Sequence, residues 1–256
     1  ERHTVMISLD QYEVWFITGS QHLYGPEALE EVAQHAQAIA GALDASPLIP
    51  VRVVYKPVVT TSAEILDVCR AANAAPACVG VVMWMHTFSP AKNWIAGLSA
   101  LDKPLAHFHT QFNRDIPWAD IDMDFMNLNQ AAHGGREFGF MMSRLRMDRK
   151  VIVGHWQDAD VLAELGAWSR VACAWQATRT MKIARFGDNM RNVAVTEGDK
   201  VEAQIRLGYE VNGYGVGDLV AVVNQVTDAE LDALIAVYGD TYTIAPDLQP
   251  GGARHQ

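Results

Sequence analysis

The sequence has no long hydrophobic run. None of its apolar stretches approaches the roughly 18 residues that a helix needs to cross a bilayer. No charged-then-apolar leader opens it, so neither membrane insertion nor a retained signal peptide is expected. Positive charge is also in short supply, with 20 Lys and Arg against 30 Asp and Glu and a formal net charge of −10. Nucleic-acid binding needs a basic surface that displaces counterions from phosphates, so we expect neither a nucleic-acid partner nor a membrane partner.

Cysteine is scarce, and several common catalytic motifs are missing. The three cysteines, Cys69, Cys78 and Cys173, include no C-x-x-C pair. An odd number of thiols favours a reducing, cytoplasmic location, where they are expected to be small apolar residues of the core. The sequence also contains no G-x-G-x-x-G loop, no P-loop, no nucleophile elbow and no H-E-x-x-H helix. The enzyme classes that depend on these motifs are therefore not indicated.

What the sequence does contain is a regular alternation of strand-like and helical segments. Residues 12–18 (YEVWFIT) are rich in β-branched and aromatic residues, end at the turn signal Gly19-Ser20, and precede apolar positions with helical spacing up to Leu43. Further strands are predicted at 51–55, 78–85, 104–109 and 151–154, and further helices at 62–72, 90–101, 135–147 and 158–178. This order predicts an α/β fold, with a parallel sheet covered by helices on both faces.

The alternation starts again at Met181, where a second domain is predicted to begin. A helix is expected at 199–207, a short strand at 209–211, and helices at 216–225 and 228–238. Residues 250–256 form a turn-rich tail with no closing element. The predicted organisation is a first α/β domain over residues 1–181 and part of a second α/β domain over residues 182–256.

Polar residues follow several predicted strands, at the edge where parallel sheets bind ligands. Residues 19–25 (GSQHLYG) carry hydroxyl, amide, imidazole and phenol groups of the kind that bind sugar hydroxyls. In residues 86–92 (HTFSPAK), Ser89 is predicted to cap a helix that starts at Pro90, which leaves His86 and Phe88 without a structural role.

Two groups of residues could suggest a metal site. His107 and His109 share one face of a strand, but two ligands are too few to specify a site, so core or crevice histidines are favoured. The run 120–124 (DIDMD) resembles the start of a calcium loop, yet Phe125 stands where an EF-hand requires glycine. These carboxylates are predicted to form a solvated turn and a helix cap. After another strand, Asp158 is also a plausible cap.

Seven segments, in order along the chain, resemble bacterial L-arabinose isomerases. They are residues 12–16 (YEVWF), 19–25 (GSQHLYG), 86–92 (HTFSPAK), 107–113 (HFHTQFN), 122–139 (DMDFMNLNQAAHGGREFG), 154–158 (GHWQD) and 185–191 (RFGDNMR). The resemblance covers the whole chain. It implies an aldose–ketose isomerase that interconverts L-arabinose and L-ribulose, and less readily D-galactose and D-tagatose, with a small-molecule sugar as its partner.

The same resemblance implies a domain organisation, an oligomeric state, a metal cofactor and a set of substrate-binding residues. Members of the family have two Rossmann-like α/β domains and a β-rich domain, assemble into trimers and hexamers, and use a divalent cation, usually Mn²⁺, while a proton moves through an ene-diol. Their sugar pocket is shared between neighbouring subunits. By matching motifs, the substrate-binding residues would be Gln21, Leu23, Tyr24, Phe88, Gln130, His133 and Met190.

The chain departs from the family in length. Members are about twice as long, and the resemblance places their two metal-binding glutamates and two histidines beyond residue 256. Catalytic residues are therefore left unassigned, and no metal ligand is assigned to this chain.

Three hypotheses remain open. The chain could be the amino-terminal half of such an isomerase, with an inert, half-built sugar site. It could be a naturally short isomerase that builds a metal site from His107, His109, His133 and acidic residues across an oligomer interface. It could also be a non-catalytic sugar-binding or assembly module.

Overall fold

The computed structural model describes residues 8–187 and 190–254, which form two compact units. The first comprises residues 8–177 and the second the described residues from 178 onward. Predictions that involve residues 1–7, 188–189 or 255–256 lie outside the described residues. This applies to Asp188 and Asn189 of the RFGDNMR segment and to the last two residues of the tail.

A five-stranded parallel sheet forms the centre of the first unit. Its strands run in the order β2-β1-β3-β4-β5. Their bounds are β1 Glu13–Gly19, β2 Arg52–Tyr55, β3 Cys78–Met85, β4 Leu105–His109 and β5 Lys150–Val153. The chain moves outward on one side from β1 to β2 and then crosses back to β3, so the strand order reverses beside β1. In doubly wound sheets such a reversal opens a crevice at the carboxyl ends of the strands.

Six helices surround this sheet. They are α1 Gly25–Asp44, α2 Ser62–Ala74, α3 Ile95–Ala100, α4 Met123–Leu128, α5 Ala131–Arg144 and α6 Ala159–Thr178. Pro26 lies in the first turn of α1, where its missing N–H costs no hydrogen bond. A capping box starts α2, because the Thr61 hydroxyl and the Glu64 carboxylate accept each other's backbone N–H.

The hydrophobic core lies on both faces of the sheet, because successive side chains of a strand point to opposite sides. Phe16 and Trp84 pack with α1 and α6 on one face. Ile17 and Met83 pack with α2, α3 and α5 on the other. The predicted α/β fold, a parallel sheet with helices on both faces, is confirmed.

For the helix predicted at 90–101, the predicted starting residue is wrong. Pro90 has an extended ψ of 114°, a 3₁₀ turn spans Ala91–Trp94, and the α-helix proper starts only at Ile95. Ser89 does not cap it. Its buried Oγ accepts a hydrogen bond from the Trp94 indole N–H at 3.0 Å, since a buried indole needs an acceptor.

The three cysteines are free and buried, as predicted. Burial raises the pKa of Cys69 to about 12 and that of Cys78 to about 11. These thiols therefore stay protonated at neutral pH and pack as small apolar side chains. None of the described helices combines the length and apolar character required to span a membrane.

The second unit also has an α/β pattern. It pairs the parallel strands β6 Lys182–Phe186 and β7 Glu210–Tyr214. Its helices are α7 Lys200–Leu207, α8 Val216–Val223 and α9 Asp228–Thr241. None of the described residues from 178 onward is buried, and apolar side chains such as Val222 and Ile235 are more than half exposed. Apolar surface of this extent is typical of an interaction face.

Candidate functional site

Three polar segments meet at the carboxyl edge of the first sheet. Residues 20–24 follow β1, residues 86–89 follow β3, and residues 129–134 lead into α5. The Ser20 and Thr87 hydroxyls are buried and hydrogen-bonded to each other at 2.8 Å. Ser20 also donates its backbone N–H to the Val59 carbonyl at 3.0 Å. The segments after β1 and β3 are thus joined at the strand-order reversal.

A second contact holds the segment after β1 through His22. The Thr60 hydroxyl donates to the Glu64 carboxylate at 2.9 Å, and it lies 2.9 Å from His22 Nε2. A hydroxyl has one proton, so Thr60 Oγ1 accepts from the Nε2–H of His22. This hydrogen bond holds the His22 ring against Thr60, just before α2.

The Glu64 carboxylate is itself held in place by backbone hydrogen bonds. It accepts the backbone N–H groups of Thr60 at 2.8 Å and Thr61 at 3.0 Å. The hydrogen bond from the Thr60 backbone is the main cause of a lowered Glu64 pKa, so the carboxylate stays ionised at neutral pH. Sequence reasoning missed this arrangement, although the T-x-x-E spacing of the capping box was available as a signal.

The substrate-binding residues predicted after β1 are accessible. Leu23 is 84% exposed, and Gln21 and Tyr24 are partly exposed. They flank His22, so the hydrogen bond that holds His22 also limits the motion of these residues. Their predicted contact with a sugar stays a prediction.

The predicted residues Phe88 and His133 are brought into direct contact. Their ring centroids lie 4.8 Å apart with an interplanar angle of 39°. Gln130 and His133 also line a cavity of about 570 Å³, together with Asn129 and Arg136. That volume lies within the range of about 300–1,000 Å³ that small-molecule sites occupy. Met190 belongs to the second unit, where its side chain is 63% exposed.

Gly134 allows the close approach of α5 to the segment that carries Phe88. A Cβ at this position would lie 2.5 Å from the Thr87 carbonyl oxygen and 3.3 Å from the Phe88 Cα. Gly134→Ala is expected to lower the free energy of unfolding by about 1–3 kcal/mol, because backbone atoms must move to admit the methyl group. Urea denaturation followed by circular dichroism measures the change.

Gly41→Ala is the matched control for that substitution. Gly41 lies in a helix, and an added Cβ would meet nothing within 4 Å. This variant should gain about 0.5–1 kcal/mol, since alanine loses less backbone entropy than glycine in a helix. A gain of the same size at Gly134 would show that the close contact is not formed.

Two pairs of imidazoles lie near the same edge of the sheet. His86 is fully buried at the end of β3, stacks on Trp84, and shares a 2.8 Å hydrogen bond with His35 of α1. Burial lowers the pKa of His86 to about 3 and also lowers that of His35. His86 therefore has the structural role that the sequence left open, and its partner His35 was not recognised from sequence.

His107 and His109 share one face of β4, as predicted. His107 Nδ1 and His109 Nε2 are 3.1 Å apart and hydrogen-bond to each other, so the pair does not present two free lone pairs to a metal. Burial lowers the pKa of His107 to about 3, and its ring meets the edge of Phe138. Core histidines are thus the correct interpretation.

One of the carboxylates in the calcium-like run forms the predicted helix cap. Asp122 Oδ1 accepts the Phe125 N–H at 2.8 Å and caps α4. Asp158, a suggested cap, directly precedes α6, and its carboxylate pairs with Arg114 at 2.7 Å, so its capping role stays a prediction. Within residues 8–187 and 190–254, no three His, Cys, Asp or Glu side chains form a group that could hold a metal ion. The described residues therefore do not fit the Mn²⁺ that the resemblance implies, and no catalytic step is derived through it.

The fold defines a doubly wound α/β protein whose polar segments lie at the carboxyl edge of the sheet, where proteins of this class bind their ligands. Residues 8–180 match the family model of the L-arabinose isomerase N-terminal domain, and residues 182–256 match that of the L-arabinose isomerase central domain. The chain belongs to the L-arabinose isomerase family.

Individual relatives agree with this assignment. The chain is 65% identical to the L-arabinose isomerase of Herpetosiphon aurantiacus over 98% of its own length and 50% of the relative. It is 63% identical to that of Koribacter versatilis, over 96% of the chain and 49% of the relative. It is 60% identical to that of Flavobacterium johnsoniae, over 97% of the chain and 50% of the relative. The chain thus spans about half the length of the curated relatives it matches.

Proposed function

We propose that this chain forms the sugar-binding α/β portion of an aldose–ketose isomerase that interconverts L-arabinose and L-ribulose. D-galactose and D-tagatose are the proposed secondary substrate pair. The observation that carries the proposal is the joining of three polar segments at one sheet edge, through Ser20–Thr87 and Phe88–His133, in a member of this family.

The proposed roles follow from the chemistry of each side chain. The Gln21 amide, the Tyr24 hydroxyl, the Gln130 amide and the His133 imidazole bind and orient sugar hydroxyls. The apolar side chains of Leu23, Phe88 and Met190 exclude water from the reacting carbons. The groups that transfer the proton and bind Mn²⁺ are proposed to belong to sequence outside these 256 residues.

The proposed working form is a cytoplasmic homo-oligomer, a trimer or hexamer, in which neighbouring subunits share the sugar pocket. Two observations support it. Leu23 and His133 are exposed in the single chain, so a second subunit can complete their surroundings. The second unit presents exposed apolar side chains that favour association.

The test compares the chain alone with a fusion to the carboxyl-terminal half of the Herpetosiphon aurantiacus relative. With Mn²⁺ and L-arabinose, the fusion should form L-ribulose and lose that activity on chelation, while the chain alone should form none. Ketose formed by the chain alone, and lost on chelation, would instead favour a self-sufficient short isomerase. A folded fusion that binds the sugar without turnover would favour a non-catalytic module.

His133→Ala in the active fusion tests the site itself. We expect kcat/KM for L-arabinose to fall by about tenfold or more, because an imidazole hydrogen bond to the sugar is lost. Arg144→Ala is the matched control, since Arg144 is exposed near the other end of α5 and should leave kcat/KM unchanged. Unchanged turnover in His133→Ala would remove that imidazole from the proposed site.

A further inference from the structure

A cavity of about 480 Å³ lies where β4 and β5 end and α5 begins, and it adjoins the cavity that Gln130 and His133 line. The two cavities share the lining residues Gln111, Arg114 and Arg136. The polar side chains on the wall of the first cavity include those of His109, Gln111, Arg114, Arg136 and His155. No Asp or Glu from the described part of the chain is among its lining residues. Two arginines without a lining carboxylate are notable in a chain that carries a net charge of −10.

Arg114 is held in a defined position on this wall. Its Nη2 donates to Asp158 Oδ1 at 2.7 Å and lies 3.2 Å from His155 Nδ1. His155 in turn donates from Nε2 to the Phe112 carbonyl at 3.3 Å, which leaves Nδ1 as the acceptor for Arg114. Asp158 offsets part of the charge, but within the described residues the other N–H groups of Arg114 donate no hydrogen bond.

Arg136 supplies the second guanidinium. It is exposed on α5, and no hydrogen bond or ion pair links it to any residue of the described ranges. Arg136 lines the cavity together with the small residues Ala131 and Ala132. Its five N–H donors are therefore available to an anion.

Gln111 provides an independent indication of a ligand. Its Oε1 is buried and has no hydrogen-bond partner among the described residues. A buried acceptor without a donor costs free energy, so such atoms are usually paired. A donor placed in the cavity, such as a sugar hydroxyl or the P–OH of a protonated phosphate, would satisfy this oxygen.

We propose that this cavity binds a phosphate group, either as a monoester of a small sugar or as free inorganic phosphate. The planar guanidinium forks of Arg114 and Arg136 match phosphate oxygens. The Gln111 amide oxygen can accept a sugar hydroxyl of the ester or the P–OH of free phosphate. The cavity volume is sufficient for a pentose phosphate.

Calorimetric titration of the intact chain at constant ionic strength tests the proposal, with ribose 5-phosphate, inorganic phosphate and L-arabinose as probes. Ribose 5-phosphate should bind, and Arg136→Gln should weaken it by about tenfold or more through the loss of a charged donor pair. Arg144→Gln removes the same charge from the same helix outside the cavity and should leave the affinity unchanged. Since L-arabinose carries no phosphate and Arg136 also lines the adjoining cavity, the affinity of Arg136→Gln for L-arabinose shows whether the loss is confined to phosphate binding.

Gln111→Met tests the buried acceptor. It should weaken whichever phosphate binds, because the buried Oε1 acceptor is lost, while the wild-type affinities tell the sources apart: a site for the ester should bind ribose 5-phosphate more tightly than inorganic phosphate. Equal affinity for both ligands in the wild type, with loss in Arg136→Gln, would support a phosphate site and assign it to the free ion. Absence of binding at millimolar concentrations of either ligand, or equal weakening by Arg136→Gln and Arg144→Gln, would overturn the proposal.

Discussion

Replacing Phe138 by alanine is expected to lower the free energy of unfolding by about 3–5 kcal/mol. Phe138 is fully buried on α5, where its ring meets Trp94 edge-on at 4.9 Å and His107 at 4.9 Å. The substitution removes apolar burial and leaves a cavity that a close-packed interior cannot fill. Urea denaturation followed by circular dichroism measures the loss.

Phe140→Ala is the matched control on the same helix. Its side chain is 60% exposed, so the expected change is within about 0.5 kcal/mol. If both substitutions changed the free energy of unfolding equally, α5 would not pack against the sheet through Phe138. The predicted sugar residue His133 would then lose the support of its own helix.

Stability is expected to fall as pH drops below about 6.5, because of the buried imidazoles. Burial lowers the pKa of both His86 and His107 from 6.5 to about 3. Between these values the unfolded chain binds more protons than the folded one. The contribution to stability is therefore complete above pH 6.5 and is lost as pH falls toward 3.

The free energy of unfolding is expected to depend steeply on pH. Each imidazole contributes up to about 1.4 kcal/mol per pH unit within that window. The groups that face them add no compensating negative charge, since His86 meets His35, and His107 meets His109 and Arg149. Urea midpoints measured from pH 7.5 to 5 report the slope before most carboxylates are protonated.

Variants assign the slope to particular residues. His107→Gln cannot titrate at this position, so its stability should depend on pH less steeply than that of the wild type between pH 6.5 and 5. His86→Asn should have the same effect through the other pair. A wild-type protein whose urea midpoint stays constant over this range would show that these imidazoles are hydrated in the folded state.

Several features of the fold followed from local sequence. The β-branched run at residues 12–18 and the all-apolar run at 78–85 became β1 and β3, because a buried parallel strand needs continuous apolar character. The helical spacing after Gly25 became α1, with Val32, Ala36 and Ile39 buried. The helix after Ser89 was placed too early, since the burial of Trp94 directed the Ser89 hydroxyl to the indole.

The site was predictable to a lesser extent. The polar segments after β1 and β3 were recognised because carboxyl edges of parallel strands bind ligands, and the family motifs named particular residues. The partners that hold those residues were not recognised. Thr60 contacts His22 across 38 positions, and His35 contacts His86 across 51. No spacing rule connects residues so far apart in sequence.

By itself, the sequence determined the alternation of strands and helices, the polar character of the post-strand segments and the family. These properties depend on neighbouring residues, whose periodicity and turn chemistry act over a few positions. Only the tertiary structure decided that Ser20 bonds Thr87, that His35 bonds His86, and that Arg114 and Arg136 line one cavity. Such contacts arise when the sheet aligns the ends of its strands, and they depend on packing between elements that are distant in the chain.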